Sequence, residues 1–148
     1  LIFKYVSEHK DQLLRTWATE RPFELYLDGV VVSGRADVIY DEHDGVAENL
    51  AIVDYKTSTG GEIRPLQLQV YADAGRREGL TVAAAFIHDM GTTTQHTVDI
   101  SESAVSAAEA VVVEAAGMLK KREFPPSPEK SKCVACDVKS ICGAAKLR

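Results

Sequence analysis

The stretch Leu50-Ala51-Ile52-Val53-Asp54-Tyr55-Lys56-Thr57 constrains the fold more than any other. It opens as an apolar run rich in β-formers and then sets an acid and a base two residues apart. Successive side chains of a strand point to opposite faces, so Leu50, Ile52, Asp54 and Lys56 share one. The two aliphatics anchor that face in a core, and the strand then presents a carboxylate and an ammonium where it emerges. Upstream, residues 31–40 (Val-Val-Ser-Gly-Arg-Ala-Asp-Val-Ile-Tyr) read as a second strand with one carboxylate, Asp37, among apolar neighbours. If the two strands pair, Asp37 faces Asp54 near Lys56. Two carboxylates about 4 Å apart repel by roughly 4 kcal/mol at an effective dielectric near 20. A divalent cation removes that penalty, and Mg²⁺ is commonly held by one or two carboxylates together with substrate phosphate oxygens. The alternative for an acid-x-base triplet is a solvated strand edge; the apolar run before it and the second acid behind Gly34 argue against that here.

Three stretches in order carry a resemblance: Gly34-Arg35-Ala36-Asp37, Asp54-Tyr55-Lys56-Thr57-Ser58 and Gln67-Leu68-Gln69-Val70-Tyr71. They resemble the successive motifs of the PD-(D/E)XK nuclease superfamily, most nearly its RecB-like and AddB-like exonuclease branch. That branch reads Gly-x-x-Asp, Asp-Tyr-Lys-Thr and Gln-x-x-x-Tyr. The resemblance runs from about Glu20 to Cys142. It implies an α/β, restriction-endonuclease-like core, a mixed central sheet flanked by helices in the order α-β-β-β-α-β-β-α. It also implies metal-dependent hydrolysis of DNA, with Asp37, Asp54 and the Tyr55 main-chain carbonyl holding Mg²⁺ or Mn²⁺. Lys56 would orient the attacking water, and Gln67 and Tyr71, one helical turn apart, would look toward the site. A partly buried tyrosine packed on the sheet is the alternative for Tyr71. Glu20 or Glu24 would support the metal, an exposed edge-strand glutamate being the other reading. Many relatives carry a metal-ligating His within Gly-x-x-His on a helix before the first strand. His9 lacks that context and reads better as an exposed helix residue.

The net charge of -5 at first disfavours a polyanionic partner, but the charge is unevenly spread. Residues 120–148 hold eight Lys/Arg against three Asp/Glu, and residues 1–119 hold nine against nineteen. An acidic body around a metal site with a basic tail is compatible with phosphate contacts. Lys120, Lys121 and Arg122 equally suit the C-terminus of a helix. A length of 148 residues fits one core domain, expected over 1–124, with a separate C-terminal segment over 125–148. No apolar run nears the ~20 residues of a membrane helix, and no signal-peptide pattern opens the chain. It begins mid-pattern on Leu1 and reads as a fragment of something longer.

In chain order, residues 4–18 read as an amphipathic helix with Val6, Leu13, Leu14 and Trp17 inward. A strand follows from Glu20 to Leu27, and Asp28-Gly29 is a hairpin turn into the next. Residues 41–45 are a polar turn without chemistry, and Thr59-Gly60-Gly61 is a loop. Pro65 opens a helix that Gly79 caps. Residues 81–87 and 93–100 are strands; His88 and His96, in or beside them, read as structural. Ser101 caps a long helix whose expected stripe is Ala104, Ala108, Val111, Val112, Ala115 and Leu119.

After Pro125-Pro126-Ser127-Pro128 come all three cysteines, Cys133, Cys136 and Cys142. An odd count at tight spacing fits no disulfide framework. C-x2-C followed by a third Cys suits a soft or borderline metal, iron–sulfur or zinc, and free thiols remain the third reading. Relatives of the AddB and CRISPR-associated exonuclease groups carry the same trio with a fourth Cys before the nuclease core. The resemblance therefore implies a 4Fe–4S cluster in the full-length protein, its fourth ligand upstream of Leu1. It also implies a helicase domain or subunit as partner, in repair or recombination. Thiols suit a reducing cytoplasm. Two other classes fit the same residues: a catalytically silent nuclease-like scaffold, and a zinc-stabilised DNA-binding module.

Overall fold

The computed structural model describes residues 2–42, 49–57 and 64–146. Most of the polar turn after Glu42 and the Thr59-Gly60-Gly61 loop lie outside them. Two helices, α1 (Ile2–Glu8) and α2 (Lys10–Leu13), precede β1 (Thr16–Leu27), β2 (Val30–Asp41) and β3 (Leu50–Lys56). Then follow α3 (Leu66–Arg77), β4 (Val82–Asp89), β5 (Thr94–Thr97), α4 (Glu102–Lys121) and α5 (Lys130–Ala135). The strands form one sheet in the order β1-β2-β3-β4-β5. All neighbours are antiparallel except β3 and β4, which run parallel because α3 carries the chain across between them. This is the mixed sheet and helical flanking expected from the sequence.

The hairpin between β1 and β2 turns on Asp28 (φ 44°) and Gly29 (φ 71°), the two left-handed residues a tight turn matched to strand twist requires. One face of the sheet packs on α3 and the first half of α4: Leu25, Ile39, Leu50 and Ile52 meet Leu68, Ala72 and Val105. The other face carries Val38, Tyr40 and Val53, covered by Leu13, with Tyr55 and Phe86 beside them. β3 is buried on both faces over its first five residues, as a central parallel-paired strand should be.

Three expectations need correcting. The helix over 4–18 is instead two short helices that end at Leu13, and Trp17 lies on β1. The spacing of Leu13, Leu14 and Trp17 mimics a helical stripe, yet Thr16 through Thr19 extend to pair with β2, and strand pairing overrides it. Within α4 the buried positions are Val105 and Ala108, with Val112 and Val113 partly buried, whereas Val111 and Leu119 are exposed. A helix apolar on nearly every side has no single stripe to read. The strand expected over 93–100 pairs with β4 only over Thr94–Thr97.

The chain falls into two compact units, Leu1–Glu114 and Ala115–Arg148. The second holds the end of α4, α5 and the three cysteines. Among the described residues no helix is long and apolar enough to cross a membrane.

Candidate active site

The site is made where β2 and β3 part. Ala36 and Ile39 turn to the α3 face of the sheet while Val38 and Tyr40 turn to the other, so the alternation of β2 breaks at Asp37. Paired residues of β2 and β3 end at Val38 and Val53. Beyond that point the Asp37 side chain takes the place of the ladder: its Oδ2 accepts the Tyr55 N–H at 2.8 Å. Asp37 and Asp54 thus flank the Asp54–Tyr55 peptide. Glu20 lies opposite Asp37 on β1, between the pairs Thr19–Val38 and Arg21–Ala36, and has φ 50°.

Asp54 is 4% exposed. Its Oδ2 lies 2.7 Å from Lys56 Nζ, and its Oδ1 accepts a hydrogen bond from Gln67 Nε2 at 3.2 Å. The same Gln67 nitrogen lies 3.2 Å from Tyr71 Oη, which also accepts the Arg35 N–H at 3.0 Å. The structure therefore brings Asp37, Asp54, Lys56, Gln67 and Tyr71 into one chain of contacts. Gly34 explains itself here. A Cβ on it would stand 2.4 Å from Cε1 and 2.5 Å from Oη of Tyr71, so the ring lies directly on the glycine backbone. Phe23 stacks behind that ring at 5.7 Å.

Two carboxylates and a main-chain carbonyl are hard oxygen donors, the set Mg²⁺ and Mn²⁺ accept, and two acids are as many as such sites commonly use. They fit the group. The other candidates stand apart. Glu20 is exposed and 3.9 Å from Arg35, and Glu24 is exposed and accepts the Tyr26 hydroxyl at 3.0 Å. His9 is half-buried between α1 and α2, its ring 4.5 Å from Tyr5 and 4.9 Å from His88, rather than an exposed helix residue.

The cluster that the resemblance implies for the cysteines finds no support among the described residues. Cys133, Cys136 and Cys142 line one largely apolar pocket of about 160 Å³ with Pro126, Pro128 and Lys132. Cys133 is buried and Cys142 exposed, however, and no group of three or more His, Cys, Asp or Glu among the described residues could hold a metal. The three thiols by themselves therefore give no support to an iron–sulfur cluster or a closed zinc site.

Sequence reasoning missed a second network, behind the sheet. Tyr5 Oη donates to Tyr55 Oη at 3.1 Å and lies 2.6 Å from His88 Nδ1, and the hydroxyls of Tyr40 and Tyr55 are 2.5 Å apart. With the Tyr5 proton given to Tyr55, Nδ1 of His88 must be the donor to Tyr5. Burial pushes all three phenols up from their usual pKa and holds His88 down, so the cluster is neutral at pH 7. Part of it was signalled: strand alternation puts Tyr40 on the face of Val38 and Tyr55 on the face of Val53, and the two faces are one. Nothing local placed Tyr5 there.

Residues 2–143, nearly the whole chain, match the family model of the PD-(D/E)XK nuclease superfamily. No curated protein matches the sequence. Among the solved structures that share the fold are the following two. One is the crystal structure of SSO0001, at 18% identity and TM-score 0.54, with 98% of this chain covered. The other is a protein from Eubacterium rectale named as a candidate exonuclease, at 14% identity and TM-score 0.58, with 99% covered. The chain spans 68% and 60% of their respective lengths. A mixed sheet, an acid beside a lysine at the exit of β3 with a second acid on the next amide, and a family match over almost every residue converge on one assignment: the chain belongs to the PD-(D/E)XK nuclease superfamily.

Proposed function

We propose that the chain is a metal-dependent deoxyribonuclease domain, acting as an exonuclease, whose reaction runs at the exit of β3. The observation that carries this is the buried Asp54 held between Lys56 and Gln67, with Asp37 bonded one peptide away. Asp37, Asp54 and the Tyr55 carbonyl would hold Mg²⁺ or Mn²⁺, which when bound supplies hydroxide at neutral pH and offsets charge growing on phosphorus. Gln67 fixes the rotamer of Asp54 by its bond to Oδ1. Lys56, with 44% of its side chain exposed, is free to reach the scissile phosphate. Its ammonium orients the attacking water and meets the non-bridging oxygen as that oxygen gains charge. Tyr71 holds Gln67 and the Arg35 amide, keeping the β2 edge in register with the α3 side of the site.

Glu20, on the strand beyond Asp37, would support the metal only if its side chain left Arg35. The domain would act with a helicase in DNA repair or recombination, in the cytoplasm.

The decisive measurement is DNA cleavage with Mn²⁺, on single strands and duplex ends, by wild type, Asp54→Ala and Lys56→Ala. Each substitution should lower kcat by about 10²–10³, the cost of removing one pre-organised electrostatic group, and chelation should silence the wild type. Equal rates in all three would discard the assignment and leave a nuclease-shaped scaffold.

A further inference from the structure

The phenol cluster behind the sheet takes no part in the hydrolysis just described, yet it closes on the one residue between Asp54 and Lys56. Tyr5 comes from α1, Tyr40 from β2 and His88 from β4, and all three are buried around the half-buried Tyr55. A neutral hydrogen bond contributes little net stability, so phenylalanines would serve packing nearly as well. What the hydroxyls add is direction. The Tyr55 amide is fixed from the front by the Asp37 carboxylate, and its phenol is fixed from behind by Tyr40 and Tyr5. The ring is also braced edge-on by Tyr5 at 5.6 Å and by His88 at 5.8 Å. A residue tied at both its nitrogen and its side-chain tip has little freedom left in its carbonyl.

We infer that Tyr55 is a positioning residue: its phenol, clamped by Tyr40 and by Tyr5 of α1, sets the backbone carbonyl and the two flanking side chains for metal binding. The inference rests on the proposed role of Asp37 and Asp54. It gives α1 a part in the site although the helix lies against the opposite face of the sheet. Tyr5→Phe should therefore act at a distance, by freeing the Tyr55 phenol and its neighbour His88.

The test is a Mn²⁺ titration, followed by the EPR signal of the free ion, on the whole chain carrying Asp54→Ala, Tyr55→Phe, Tyr5→Phe or Arg77→Met. Arg77→Met is a stability control: it breaks the Arg77 contact to Asp73 within α3 and the one to Glu109 that joins α3 to α4. Tyr55→Phe and Tyr5→Phe should each weaken Mn²⁺ binding roughly ten-fold, as loss of a ligand's supporting bond typically does. Both should lower kcat with KM for DNA unchanged. Arg77→Met should lower Tm and leave Mn²⁺ affinity alone. If both tyrosine variants bind Mn²⁺ like wild type, or Arg77→Met weakens it equally, the inference is overturned while the site stands. If Asp54→Ala itself binds Mn²⁺ like wild type, the site assignment falls and the inference with it. Should Tyr55→Phe not fold, Tyr5→Phe decides.

Discussion

Gly34 and Tyr71 show how a residue's reason can sit far away in the chain. Both belong to motifs visible in the sequence, but the sequence does not say that each exists for the other. Their contact spans 37 positions and follows only once β2 lies under α3. The Tyr71 ring cannot yield to an added methyl: it is buried, backed by Phe23, and tied at Oη by the Arg35 amide. Gly34→Ala should therefore destabilise the protein by about 1–3 kcal/mol, the usual cost of overpacking, and should depress cleavage through Gln67. In a Tyr71→Leu background the same substitution should cost far less, because the obstacle is gone. Thermal unfolding of the four proteins of that cycle gives the answer, and strictly additive losses would reject the contact as the cause. The acid–base pair of β3, by contrast, was fully legible, because strand alternation and an apolar anchor are local properties. The tyrosine cluster was partly legible for the same reason: alternation puts Tyr40 and Tyr55 on the face of Val38 and Val53, whereas the β3–β4 register that pairs His88 with Tyr55, and the packing that adds Tyr5, follow only from the fold.

Elements were read best where a special residue marks their ends. Gly79, with φ 88°, terminates α3 as its composition implied, and Ser101 accepts the Ala104 amide at 3.4 Å at the start of α4. The start of α4 also has an acid that pattern reading passed over. Asp99 Oδ1 accepts the Ser101 N–H at 2.9 Å, and bonds from the Ser101 amide and hydroxyl hold its carboxyl below the ordinary 3.8. A carboxylate whose pKa is lower in the folded state stabilises that state above its unfolded pKa and loses the effect as pH falls through the folded one. Asp99→Asn keeps an acceptor but removes the charge from the α4 N-terminus. Wild type should thus melt above Asp99→Asn at pH 6. The gap should hold down to about pH 4 and then close as acid titrates the wild-type carboxylate. A gap independent of pH from 6 to 2.5 would show that the charge contributes nothing. The one element misread outright, the N-terminal helix, failed where helical spacing and strand pairing competed, and the pairing partner lay 20 residues downstream.

At the scale of the whole molecule the unsettled quantity is how an acidic protein engages a polyanion. The body unit holds the acids that a metal site needs, and the excess of Lys and Arg falls in residues 120–148. Composition could locate that asymmetry but could not say whether it serves DNA or merely the end of α4, where Lys120 and Lys121 occupy the last turn. The two roles separate under salt. Each phosphate neutralised on a single strand adds about 0.7 to the slope of log affinity against log salt. Lys121 and Arg122, both exposed, should account for about 1.4 of that slope if both touch phosphate. Lys121→Gln/Arg122→Gln should then weaken binding of single-stranded DNA at low salt, flatten the salt dependence by that amount, and spare kcat at saturating substrate. Helix-terminal charges acting only on the helix dipole would instead lower Tm slightly and leave the slope as it was. Binding measured at four salt concentrations, with catalysis prevented by Asp54→Ala, distinguishes the two. An unchanged slope would rule out Lys121 and Arg122 as phosphate contacts and leave them to the end of α4.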